Sequence, residues 1–261
     1  MVNTYTSYRL IAADITKSLE RVSAQPEVQR ETEYYLENIG NVKSIEDLVE
    51  DRRLFAYAMK AHGLSDMTYA KAFMVKAMEG GIDDEDSFVN KLTDQRYTDF
   101  VETFNFVRNG EATTAFAKTQ QGTVDKYLRQ TLEEDAGDSN EGVRLALNFE
   151  RNAASIETAY DLLANSAYAK VVRTVLGLPD SFATADIDKQ AAMIEERIDI
   201  EDFQDPEALD KFLTRFTAMW EIQNPTSTAS SSIAALFSQP VEYGISSDVM
   251  LTLQGLKLGG S

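Results

Sequence analysis

Apolar residues along this chain recur at steps of three and four rather than two. Tyr8, Ile11, Ile15, Leu19 and Val22 form one such stripe, which predicts an N-terminal amphipathic helix ending near Pro26. Prolines stand only at 26, 179, 206, 225 and 240, so the stretch from Glu27 to Leu178 contains none and is dominated by good helix formers. The pattern predicts helices over 27–39, 44–62, 66–79, 85–92, 94–107 and 111–134, then over 141–152, 155–165, 166–176, 186–197 and 206–222. Gly40, Gly63, Gly80, Gly81 and Gly110 punctuate the first set. A short strand near 242–245 is the one candidate for β structure, so the fold class is all-α.

Part of this pattern is written twice. Asn41-Val42-Lys43-Ser44-Ile45-Glu46 recurs as Asn152-Ala153-Ala154-Ser155-Ile156-Glu157 and, after a three-residue insertion, Asp47-Leu48 matches Asp161-Leu162 and Gly63-Leu64 matches Gly177-Leu178. Further on, the runs 82–86 and 100–104 match 198–202 and 212–216. These matches predict an internal duplication: two similar helical lobes, 26–110 and 139–222, joined by a long helix within the connecting segment 111–138. An amphipathic helix over 1–25 precedes them. A polar linker and a C-terminal amphipathic helix over 223–261 follow, with Val249, Met250, Leu253 and Leu256 on one face of that helix. The aromatic residues at helical spacing, among them Tyr34, Tyr35, Phe55, Tyr57, Tyr69, Phe73, Phe100 and Phe104, are assigned to the cores, and Trp220 to the contact between second lobe and tail.

Charge narrows the functions. The chain carries 25 Lys and Arg against 43 Asp and Glu, a net charge of −18. Such an excess repels phosphate backbones and anionic lipid, so nucleic acid is excluded as a partner. The acidity is concentrated in the body, because the first 24 residues set Arg9, Lys17 and Arg21 against only Asp14 and Glu20. No apolar run reaches the roughly 18 residues of a spanning helix, and the N-terminus lacks the pattern of a cleaved secretory signal. No membrane insertion is expected.

The search for reacting groups is mostly negative. With no cysteine and a single histidine, disulfides, thiolate metal sites and cysteine nucleophiles are excluded. His62 sits at an expected helix C-terminus, where it complements the helix dipole. The acidic runs 83–86 and 135–142 fail the calcium-loop pattern, because glycine and acidic positions do not coincide. The adjacent pairs Glu133-Glu134 and Glu195-Glu196 diverge on a helix and are assigned to the surface. No phosphate loop, dinucleotide fingerprint or nucleophile elbow is present. The sequence therefore assigns no catalytic, cofactor-binding or metal-binding residue, and a non-enzymatic protein is expected.

Five strings carry a family resemblance. They are Glu31-Thr32-Glu33-Tyr34-Tyr35-Leu36-Glu37-Asn38-Ile39, Arg53-Leu54-Phe55-Ala56-Tyr57-Ala58-Met59-Lys60-Ala61, Tyr69-Ala70-Lys71-Ala72-Phe73-Met74, Asn140-Glu141-Gly142-Val143-Arg144-Leu145-Ala146-Leu147 and Glu242-Tyr243-Gly244-Ile245-Ser246-Ser247-Asp248-Val249. With them the chain resembles an uncharacterised alphaproteobacterial family, the domain of unknown function twelve-seventeen. The resemblance implies a helical protein without established activity, often encoded among flagellar genes, and hence a role in flagellar assembly or motility. The expectation is a structural or interaction protein whose partners are other proteins, flagellar components among them. It would bind through Tyr8, Ile11, Ile15 and Leu19 at one end and Val249, Met250, Leu253 and Leu256 at the other. The competing use of both sets is packing within the chain. It would work in the cytoplasm or, alternatively, be exported to the flagellum without a cleaved signal. A second reading is a cytoplasmic adaptor or ligand-binding module that takes an anion between the lobes on Arg52, Arg53, Arg144 and Arg151.

Overall fold

The computed structural model describes residues 3–224. The C-terminal residues Val249, Met250, Leu253 and Leu256, the linker from Pro225 onward and the candidate strand at 242–245 lie outside them. Among the described residues every regular element is a helix. The N-terminal stripe forms two helices, α1 (Thr4–Ala12) and α2 (Ile15–Ser23), rather than one. Asp14 divides them: its backbone leaves the helical region and its carboxylate accepts from the Lys17 amide at 3.0 Å, capping α2. There follow α3 (Pro26–Asn38), α4 (Ile45–Glu50), α5 (Arg52–Ala61), α6 (Lys71–Glu79), α7 (Gln95–Thr103) and α8 (Phe106–Asn109). Next come α9 (Gln121–Ser139), α10 (Glu141–Asn152), α11 (Ala159–Ala164), α12 (Ser166–Leu176), α13 (Ile187–Glu195) and α14 (Pro206–Gln223).

Two hydrophobic cores organise these helices. The first is built from side chains between Val22 and Leu132, and a stack of Tyr35, Tyr57 and Tyr127 runs through it with centroid spacings of 4.4 and 3.8 Å. The second draws on Val143 to Trp220 and centres on Phe149, which touches Tyr168, Phe203 and Phe212. Helices α9 and α10 join the cores as a tight hairpin broken at Asn140, whose side chain caps α10 by accepting from the Gly142 amide at 2.9 Å. Trp220 is buried against the start of α10, and a Cβ built on Gly142 would lie 2.4 Å from its indole ring, so only glycine admits this approach.

The same order of devices occurs in each core. A single 3-10 turn leads into a capping box, Ser44 with Asp47 or Thr158 with Asp161. A short helix ends at Asp51 or Asn165, which caps the next helix in turn. That helix stops at Gly63 or Gly177, both at positive φ, where a side chain would be strained. One constant spacing relates all four pairs, so the equivalence begins at Ser44 and Thr158, not at Ser44 and Ser155. What recurs at that spacing is a set of helix caps and glycine stops.

Several expected helices end sooner or begin later than the sequence suggested. The helix expected over 44–62 is two helices separated at the capping residue Asp51. The helix expected over 85–92 is a turn and a 3-10 segment at Val89–Lys91. The connecting helix begins at Gln121 rather than Glu111. In its place Gly110–Ala115 forms a 3-10 turn and the next residues a loop held by buried threonine hydroxyls. Thr113 donates to the Gly110 carbonyl at 2.7 Å, Thr114 to Val42 at 2.9 Å, Thr119 to Phe116 at 2.8 Å and Thr123 to Lys118 at 3.0 Å. Threonine hydroxyls that satisfy backbone carbonyls offer an alternative to the helical ladder, and here that alternative wins. Tyr69 departs from its core assignment, being 81% exposed.

Candidate functional site

Three places gather chemistry or unpartnered surface, and the N-terminal stripe is the first. The helices α1 and α2 lie across both cores. Tyr8 is buried in the second core, Ile15 and Leu19 pack on the first, and Ile11 touches both. Thr4 fastens the beginning of α1: its hydroxyl donates to Glu221 at 2.6 Å and accepts from Asn140 at 2.9 Å, and its amide also reaches Glu221 at 3.0 Å. Arg9 pairs with Asp210 on α14. The structure thus spends Tyr8 entirely, and Ile11, Ile15 and Leu19 in large part, on packing within the chain. As an amphipathic helix in a chain of this size, the stripe needed a hydrophobic partner, and the nearest surface supplied it.

The seam between the cores is the second place. Glu133, assigned to the surface from its sequence, is 1% exposed. Its carboxylate accepts from Arg129 Nε at 3.2 Å, Arg151 Nη2 at 2.9 Å and Asn148 Nδ2 at 3.2 Å. Arg151 Nε also lies 2.7 Å from Glu133 Oε1, but off the donor direction, so that contact is electrostatic rather than a hydrogen bond. The i,i+4 relation of Arg129 to Glu133 is visible in the sequence. The second arginine reaches it only through the α9–α10 hairpin.

Beside this network His62 is buried, with its ring edge-on to Phe100 at 5.3 Å and near Phe104 at 6.1 Å. Burial, reinforced by Lys126 and Arg151, holds its pKa well below 6.5, and its Nε2 has no hydrogen-bond partner. Around it burial lowers the pKa of Lys126, raises that of Asp99 against the pull of Lys126, and raises that of Tyr168 to about 12. The imidazole is set edge-on to two aromatic rings, and its Nε2 makes no hydrogen bond to the titratable groups nearby.

The pH dependence follows with a definite sign. Above pH 6.5 both folded and unfolded His62 are neutral. Below it the unfolded chain takes up a proton that the folded chain refuses, so stability falls as the pH drops, by up to about 1.4 kcal/mol per pH unit from this group. In urea unfolding at about pH 7.5 and about pH 5, the wild type is expected to lose more stability than His62→Leu. Equal losses would mean that the imidazole is not shielded.

The arginines considered for an anion site do not converge. Arg53 bonds Glu31 at 3.0 Å and stacks on Tyr34, Arg144 faces Glu141 at 3.6 Å, Arg151 belongs to Glu133, and Arg52 is exposed. Among the described residues no group of three or more His, Asp or Glu side chains could hold a metal ion, and no helix is long and apolar enough to cross a membrane.

The third place is an open groove between α3 and α9. It encloses about 240 Å³ and is lined by Ser23, Gln29, Thr32, Glu33, Leu36, Gln121, Val124 and Leu128. The sequence analysis did not single it out, although Leu36, 43% exposed amid charged neighbours, was a readable signal.

Comparison with known proteins decides the family. The profile of a protein family of unknown function, DUF1217, matches residues 61–209. An X-ray crystal structure of an Agrobacterium tumefaciens protein, from a structural genomics consortium, superposes with a TM-score of 0.80 at 56% sequence identity, covering 85% of this chain and 94% of that one. This chain belongs to the DUF1217 family. None of the proteins with curated functions matches it significantly. The DUF1217 match takes in His62, Arg129, Glu133 and Arg151 and the α9 wall of the groove, and it leaves α3 outside. Membership of DUF1217 accounts for the helical fold and brings no activity with it.

Proposed function

We propose that this protein is a non-enzymatic helical body that works by binding other proteins, in connection with bacterial flagellar assembly or motility. The observation that carries the binding part is the surface. On a chain of net charge −18, Leu10, Leu36, Val107, Phe116, Ile187 and Ile222 stand 43–74% exposed while the cores are closed. Several of the perturbed titratable groups support the non-enzymatic part, because they sit in structural pairs: Tyr34 with Asp51, Tyr160 with Asp188, Arg96 with Asp94. The flagellar connection rests on what the family resemblance implies. The proposed association face formed by Val249, Met250, Leu253 and Leu256 lies outside the described residues, and Tyr8, Ile11, Ile15 and Leu19 pack on the chain's own cores.

A clean deletion tests the reading. The account expects a motility defect restored by the wild-type gene, with the protein found either in isolated basal bodies or bound to flagellar subunits in the cytoplasm. Normal swimming, with no flagellar protein associated, would contradict the flagellar connection. Turnover of a substrate by the purified chain would contradict the non-enzymatic one.

A further inference from the structure

We propose that the groove between α3 and α9 is a docking slot for a basic amphipathic helix of a partner protein, an inference that rests on the protein-binding reading above. The two walls run antiparallel, because Gln25 beside the start of α3 bonds Asp135 at 2.8 Å while Tyr35 near its end bonds the Thr119 carbonyl just before α9. Each wall presents side chains at helical spacing, Thr32, Glu33 and Leu36 from α3 and Gln121, Val124 and Leu128 from α9. Val124 is buried and Leu128 partly buried in the first core, and Leu36 lines the groove with them, 43% exposed. From Gln121 to Leu128 an α-helix rises about 10 Å, so the slot accepts about two turns of a bound helix.

Charge selects the occupant. Glu33 lines the groove, and Glu37 and Asp125 are exposed one turn along the same helices from Glu33 and Gln121, so these three carboxylates outnumber the exposed guanidinium of Arg30, one turn before Glu33 on the same side of α3. A helix with leucine-like anchors on one face and Lys or Arg flanking them would meet both the apolar side chains and the carboxylates. The slot is also rigid at one end. The hydroxyl-pinned loop before Gln121 and the buried Tyr35 leave little ordering to be done on binding.

The test uses the full chain, labelled with nitrogen-15. The probe is a synthetic peptide of Leu and Lys with leucines at i, i+3, i+4 and i+7. The proposal expects saturable shifts of α3 and α9 resonances and at least about a tenfold loss of affinity in Leu36→Glu, the effect of removing one apolar anchor. That substitution makes the protein more acidic, so binding driven by charge alone would strengthen. Unchanged or tighter binding by Leu36→Glu, shifts outside the groove, or no shifts would each overturn the proposal. Concentration-dependent self-association of the wild type, lost in Leu36→Glu, would overturn it too by assigning the groove to a second copy of the chain. Each of these results leaves a partner held elsewhere on the body untouched, so the groove can fail while the protein-binding reading stands.

Discussion

Glu133→Ala is expected to destabilise the folded body by about 3 kcal/mol. Removing one member of a buried ion network leaves the remaining charges without compensation, which costs about 3–5 kcal/mol when they are fully enclosed. The lower end applies here because the Arg129 and Arg151 side chains keep 16% and 26% of their surface in solvent. Glu133 is the one carboxylate that α9 offers to both arginines, so the loss also loosens the hairpin between the cores. Glu134→Ala is the control. That neighbour pairs with Lys60 at 2.9 Å but is 38% exposed, and a pair of that kind contributes under about 1 kcal/mol. Urea midpoints for the two variants measure the contrast, and equal midpoints would remove the seam from the account.

Phe149→Ala is the second large effect, expected at about 3–5 kcal/mol. Phe149 has no exposed surface, and Tyr168, Phe203 and Phe212 lie with ring centroids 5.1–5.7 Å away. Three rings from three other segments cannot all collapse into the space it leaves. Phe116→Ala, on an exposed ring of the threonine-pinned loop, should change stability by less than about 0.5 kcal/mol. Thermal unfolding of both variants checks the pair, and a Phe149→Ala protein as stable as Phe116→Ala would mean that the second core is not packed as described.

Much of this fold was legible in the chain, and the exceptions share a cause. The proline-free helical pattern and the glycine punctuation located α3, α9, α10, α12, α13 and α14 to within a few residues or, for α9, by its core if not its start. The breaks at Asp14 and Asp51 were missed because a capping aspartate inside an apolar stripe looks like an ordinary polar position until its backbone leaves the helix. The loop before Gln121 was missed because its threonines bond carbonyls across the fold, Val42 among them, and such partners cannot be seen locally. The negative reading of the chemistry came from composition: one histidine and no cysteine leave few routes to a reacting cluster. Glu133 escaped because its burial depends on an arginine from the next helix. The destination of Tyr8, Ile11, Ile15 and Leu19 was open in the sequence, since a stripe shows that a helix needs a partner and not which one.

The central claim is that this acidic body acts by holding another protein through its exposed apolar surface. Photo-crosslinking in living cells, from a probe residue at position 36 of the full chain and from a control at exposed Glu79, tests it most directly. The account predicts a crosslink from position 36, absent from position 79, that maps by mass spectrometry to a basic amphipathic helix of a different protein. Identical patterns from both positions, or crosslinks only to a second copy of the same chain, would contradict it.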